Sequence, residues 1–343
     1  MKKSILVLII TGIAFGFYSC TDVQGDGIDT IEYKGSTVPE DSAYYNPVWN
    51  FDLTDASVFL SSGPYYGMGS EKAWAEGIQY TVPTLTSANL MDWSLISQAE
   101  AFMDKPGWAE GNVTSVTGLF SKSLGMYYLF YKLGDAGLGV GDAKTPQGPY
   151  GDYGKFTDKE DLGVGDINDP FVYASGSNFY LFFGVTSDGI YGVKLNVKKN
   201  TLPQLDGTPF KVAGPDFSGP YVRKRGTKFQ FIGTHSGQIV MGLSGSIEGP
   251  YLDNTGTDLV QGTGTPLVTV TDDFQGIGQC AGIHTDHQDD DWILYTAVES
   301  SIPDLPTGET RYVLMLNRIG YDENGWPSPV IEATIGYNYP RFD

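Results

Sequence analysis

Five positions stand at matched places along this chain and could share one site. Asp55 opens the run Asp55-Ala56-Ser57-Val58-Phe59-Leu60, and Asp169 opens Asp169-Pro170-Phe171-Val172-Tyr173. Thr117, Ser218 and Gly282 head three further runs of the same form. Each run ends at a turn residue and is followed by an apolar, mostly aromatic stretch such as Tyr127-Tyr128-Leu129-Phe130-Tyr131. Counted back from Gly63, Gly125, Gly176, Gly226 and Asp290, the five leading positions lie 7 or 8 residues upstream. Two of the five are carboxylates. A pair of carboxylates facing a cleft can cleave a glycosidic bond, one activating water and the other protonating the leaving oxygen. A single Asp at a strand head can equally be a local Asx-turn; two in matched register argue for a shared site.

The elements that must position these residues are hairpins, each an apolar strand, a glycine turn and an aromatic strand. The turns recur 50–64 residues apart, and Gly148-Pro149-Tyr150-Gly151-Asp152 recurs as Gly249-Pro250-Tyr251-Leu252-Asp253. A period of that length holding several short strands matches a four-stranded propeller blade. No long stretch has helical periodicity. The reading is all-β, a five-bladed β-propeller over residues 44–343. A two-sheet sandwich is the competing architecture, and the regular long period argues against it. In a propeller the inner strand of each blade starts near the axis, so Asp55, Thr117, Asp169, Ser218 and Gly282 should ring one central funnel.

The 343 residues carry 21 Lys and Arg against 41 Asp and Glu, a formal net charge of −20. A basic footprint is missing, so no nucleic-acid partner is expected; a neutral ligand and a monomer are. Residues 1–19 read as a targeting segment: Lys2 and Lys3 precede an apolar stretch, Ile5 to Phe17, too short to span a bilayer. Tyr18-Ser19-Cys20 resembles a bacterial lipoprotein cleavage site, which implies lipid on Cys20 and an exported, membrane-anchored protein of the cell envelope. Ordinary secretion is the alternative. Residues 20–43, polar and glycine-containing, read as a flexible tether. Cys280 is then left without a partner and reads as a buried free thiol.

Three motifs extend the argument. They are Asp52-Leu53-Thr54-Asp55-Ala56-Ser57-Val58, Ile167-Asn168-Asp169-Pro170, and Arg311-Tyr312-Val313 followed by Gly325-Trp326-Pro327. In order and spacing the chain resembles glycoside hydrolase family 43, five-bladed propellers that act on arabinan, xylan and related polysaccharides. The resemblance implies inverting hydrolysis, with Asp55 as general base and Asp169 orienting the general acid and tuning its pKa. That acid, a Glu directly before Gly-Pro, is replaced here by Ser218 in Phe217-Ser218-Gly219-Pro220. Serine cannot protonate a leaving group at neutral pH, and losing a general acid costs about 10²–10⁴ in rate. Asp216, two residues earlier on the same strand face, is the nearest substitute; Glu110 and Glu248 are more distant ones.

The expected sugar-binding surface comprises Ser218, Thr117, Phe217, His284 and Trp108, the last able to stack on a sugar face. The resemblance also implies calcium at the propeller centre with His284 beside it, although the hydrolysis itself requires no cofactor. His287-Gln288-Asp289-Asp290-Asp291 reads as a solvated hairpin tip. Two functions follow: a lipid-anchored glycosidase, or a catalytically degenerate relative that holds a glycan in the same funnel.

Overall fold

A computed structural model describes residues 30–33, 36–39, 44–96 and 101–338. The targeting segment and Cys20 lie outside the described residues. The chain divides into two compact units, Met1–Asp41 and Ser42–Asp343. The first is not a featureless tether: Thr30–Tyr33 and Ser36–Pro39 pair as antiparallel strands, consistent with the Thr, Ile, Tyr and Val they contain.

Among the described residues the second unit is built from five antiparallel sheets in chain order, a five-bladed β-propeller. The inner strands are Ser57–Leu60, Val113–Ser121, Asn168–Ser175, Phe217–Arg225 and Phe274–Thr285. Each pairs with the strand that follows it through a tight turn. Blade one carries an inserted hairpin, Lys72–Ala75 with Ile78–Tyr80. A one-turn helix, Lys159–Leu162, leads into blade three, capped by the Asp158 carboxylate accepting from the Asp161 N–H at 3.0 Å.

The core lies between the blades. There are five clusters of buried apolar side chains, one for each pair of neighbours, including the pair formed by the last blade and the first. This explains the almost continuous apolar second strands: Met126–Leu133 and Asp291–Glu299 are covered on both faces. Fully burying one such Leu, Ile or Phe contributes about 1.5–3 kcal/mol. Cys280 belongs to the cluster between blades four and five, and burial pushes its thiol up to about 12.

The ring is closed by the incoming chain. Trp49 and Leu314 exchange backbone hydrogen bonds of 3.3 and 3.0 Å on blade five, and the Leu53 N–H donates to Tyr312 O at 2.8 Å. The buried Asn46 amide bonds both backbone groups of Leu316 at 2.8 and 3.0 Å. Gly336–Asn338 pairs with Tyr44–Asn46, so the two ends of the propeller chain meet.

Asp291 departs from the expected solvated hairpin tip. Its side chain is 1 % exposed and accepts from Arg223, Arg225, Thr285 and Tyr321. Arg223 and Arg225 lie on the inner strand of blade four, so this carboxylate ties two blades together. These donors hold Asp291 below the usual carboxylate range despite its burial. Replacing it with alanine leaves Arg223 buried without its counter-ion, and we expect a loss of about 3–5 kcal/mol in denaturant unfolding. An unchanged midpoint would show that the cluster does not join the blades energetically.

Candidate active site

The inner strands share one local distortion. Pairing with the second strand breaks off and resumes at Thr117, Phe171 and Tyr221 in blades two, three and four. Two residues before each resumption the backbone is left-handed: Ser115 at φ 49°, Asp169 at 46° and Gly219 at 57°. Asp55, at φ 50°, stands two residues before Ser57, where blade one's pairing begins. Blade five has its break between Ile277 and Cys280. A bulge of this kind bends a strand and re-aims its side chain. A non-glycine residue held left-handed costs about 1–3 kcal/mol, and such strain gathers at functional sites. At Gly219 the reason for glycine is direct, because a Cβ there would lie 2.7 Å from the Gln279 side chain.

The counted ring is therefore half right in position. Asp55 and Asp169 head their strands as expected. Blade two contributes Ser115 rather than Thr117, because Gly125 ends a four-residue turn instead of starting a two-residue one. Thr117 is buried and donates to Pro170 O at 3.2 Å. Blade four contributes Gly219 at the equivalent place, one residue beyond Ser218. Gly282 sits deeper, where a Cβ would meet Val58 O at 2.7 Å.

Asp55 and Asp169 line one cavity of about 230 Å³, together with Ser218 and Thr234 of blade four, Gln279 and Thr296 of blade five, and Tyr312. Asp55 Oδ2 accepts from Ser70 Oγ at 2.7 Å, and Ser70 Oγ accepts from the Ser115 N–H at 2.8 Å. Burial raises the Asp55 pKa, and the Ser70 bond and the charge of Lys72 act against that rise. Lys72 is itself fixed. It pairs with the fully buried Asp52 at 3.2 Å, donates to Thr54 Oγ1 at 2.9 Å and to Thr310 O, and lies 5.6 Å from the centre of the Tyr312 ring.

Asp169 Oδ2 accepts from the Gly219 N–H at 3.1 Å. Burial first, and then the negative charge of Asp55, push Asp169 up to about 6. Burial thus raises both carboxylates of the cavity; Asp55 has a hydroxyl and a lysine that act against the rise, and Asp169 has one backbone N–H.

The remaining expected residues do not join them. Asp216 is exposed in the turn before Phe217, at φ 69°, and is absent from the cavity wall. The strand starts only after it, so the two-residue spacing does not bring it to the face of Ser218. Phe217 is core, packed on Phe231 and His235. Trp108 is half-buried, its Nε1–H donating to Tyr131 OH at 2.9 Å. Glu110 and Glu248 are exposed and lie off the cavity. Ser218 does face it, exposed, in the place where the resemblance expects an acid. Ser70, Lys72, Ser115 and Tyr312 were not foreseen, since their roles depend on contacts between hairpin, blade and closing strand.

His284 packs edge-on against Tyr65 at 4.9 Å, its Nε2 is buried without a hydrogen-bond partner, and burial pushes it down to about 4. Among the described residues no three or more His, Cys, Asp or Glu side chains gather as a metal site. Calcium takes six to eight oxygen ligands, so the side chains around His284 do not fit it and no step below uses one.

The raised pKa of Asp169 carries a stability signature. Its native value, about 6, exceeds the roughly 3.9 of an unfolded chain, so the native state binds more protons between the two values. Stability from this group is present below the lower value and lost as pH rises through the upper one. Asp169→Asn removes the loss. We expect its melting temperature to exceed the wild type's by a few °C above pH 6 and the gap to close near pH 4. A gap independent of pH would contradict this account.

A sequence profile of glycosyl hydrolases family 43 matches residues 44–327. The extracellular exo-α-(1→5)-L-arabinofuranosidase ArbA of Cellvibrio japonicus is 23 % identical over 282 residues, covering 71 % of this chain and 78 % of ArbA. Among solved structures, the Cellvibrio cellulosa α-L-arabinanase bound to arabinohexaose has a TM-score of 0.63 at 20 % identity, covering 82 % of this chain and 98 % of its own. The Bacillus subtilis arabinanase Arb43A reaches 0.64 at 21 % identity, with the same coverage. The Bacteroides ovatus xyloglucan PUL GH43B reaches 0.66 at 17 % identity, over 88 % of this chain and 59 % of its own. The structural likenesses agree on the propeller, and the profile spans most of the chain: it belongs to glycosyl hydrolase family 43.

Proposed function

We propose that this protein is an exported inverting glycosidase acting on arabinan-type chains, with Asp55 as general base and Asp169 as the proton-holding partner. The observation that carries the reading is the pair of carboxylates in one cavity, with Asp169 pushed up to about 6. Asp55, held by Ser70 and facing Lys72, is the group suited to take a proton from an attacking water. Asp169, pushed up to about 6, is near enough to neutrality to hold a proton for the leaving oxygen. Ser218 cannot do so. The substrate class and export are supported by the arabinofuranosidase and arabinanase relatives. An anchor through Cys20 belongs to the same reading and rests on the sequence alone.

In this scheme the wild type releases product from arabino-oligosaccharides, and Asp55→Ala lowers kcat by about 10²–10⁴. The kcat profile falls as pH rises past about 6, where Asp169 loses its proton, and Asp169→Asn abolishes that limb. Equal product from wild type and Asp55→Ala would remove Asp55 from the mechanism.

Ser218 favours a second reading, a glycan-holding propeller without turnover. The wild type then binds the same oligosaccharides and releases nothing, and Ser218→Glu creates measurable hydrolysis. Wild-type hydrolysis at a rate that Ser218→Glu leaves unchanged would exclude this reading.

A further inference from the structure

A second cavity, of about 280 Å³, is lined by Asn168, the chain neighbour of the funnel's Asp169. Lys132, Lys159, Asp135, Asp166 and Asn168 supply its polar lining, and the buried Leu138 and Ile167 lie behind them. Its position follows from strand register. Val113 pairs with Leu133, and Asn168 with Gly184, at the strand ends that carry Ser115 and Asp169. The cavity therefore opens at the same end of the blades as the funnel. Asn168 directly precedes Asp169, and the charge of Lys132 is felt by both Asp166 and Asp169.

The charges in this cavity are unevenly satisfied. The Lys132 side chain is 18 % exposed, and its ion-pair partner is Asp135 at 3.5 Å, a fully solvated carboxylate. Lys159 reaches only Glu160, at 4.0 Å, with both side chains exposed. Pairs of this kind contribute little. The acid of the inner wall is already committed: Asp166 Oδ1 accepts from the Thr186 N–H at 2.8 Å, and the carboxyl sits below its usual range. Two weakly partnered ammonium groups thus face one sugar-sized cavity, in a chain where acids outnumber bases 41 to 21.

We propose that this cavity is a subsite for a carboxylate-bearing sugar, a uronate unit of the same glycan whose neighbouring unit enters the funnel. The proposal rests on the carbohydrate reading above. Lys132 and Lys159 would donate to the carboxylate, and Asn168 would meet the ring hydroxyls. Charge-assisted hydrogen bonds of this kind are the strong ones.

The test is calorimetric binding to the Asp55→Ala protein, so that turnover plays no part. The probes are a pentose oligosaccharide carrying one uronate branch and the same oligosaccharide after carboxyl reduction. We expect the uronate form to bind about tenfold tighter, the yield of one charge-assisted hydrogen bond. The preference should shrink as salt rises. It should vanish in Lys132→Met/Lys159→Met while affinity for the reduced form stays unchanged. Equal affinity for both forms, or a preference that survives the double substitution, overturns the subsite alone. Binding of neither form overturns the carbohydrate reading with it. Acetate as competitor separates the sources of the anion: if it displaces the uronate form fully at equal concentration, the lysines hold any carboxylate and the sugar subsite is refuted.

Discussion

The left-handed residue at the head of four of the five inner strands is the constraint on which this site depends. A regular strand would send alternate side chains into the two inter-blade cores. The break before Ser57, Thr117, Phe171 and Tyr221 takes one residue per blade out of that alternation and gives it to the axis. Where that residue is Asp55 or Asp169, the bend places a carboxylate; where it is Ser115, it places a donor that holds Ser70. The five inter-blade cores keep the bends in place, so strain at the axis is offset by packing further out.

Burial raises both carboxylates, and their partners differentiate them. Asp55 has hydroxyl and lysine partners within its own quarter of the ring. Asp169 has a single backbone N–H and the charge of its neighbour. Lys72 links the two halves of this arrangement, because the residues that hold it belong to the incoming chain, through Asp52 and Thr54, and to the closing strand region, through Thr310 and Tyr312. The electrostatics of Asp55 are thus a property of the closed ring and not of blade one alone.

The fold was legible because its signal is long-range and repetitive: five hairpins at a steady spacing leave few alternatives. Asp169 was legible because it stands a short, countable distance before the two-residue turn Gly176-Ser177; Asp55 was legible although its hairpin closes through the four residues 61–64, because Gly63 lies inside that turn. Thr117 was misplaced because Gly125 occupies the end of a longer turn, which sequence alone does not distinguish. Phe217 and Trp108 have the chemical type of sugar contacts, yet an aromatic side chain serves a core as readily as a cleft: strand alternation buries Phe217, and a loop holds Trp108 half-buried against Tyr131. Asp291 looked like part of an acidic tip until the fold supplied two arginines from the next blade. Lys72 has no local signature at all, since its partners lie up to 238 residues away.

The meeting of the two chain ends has a consequence for biogenesis. Asp52 accepts from the Tyr312 N–H, a contact that spans 260 residues. During synthesis the first blade is made long before the strand that completes its surroundings. The contacts of Lys72 with Thr310 and Tyr312 can form only once that last part of the chain has been made, so the lysine beside Asp55 gains its full set of partners after the blades before it are complete in sequence. A nascent or truncated chain can carry every blade up to the fourth and still lack the finished centre. Maturation of the site is thereby timed to completion of the chain.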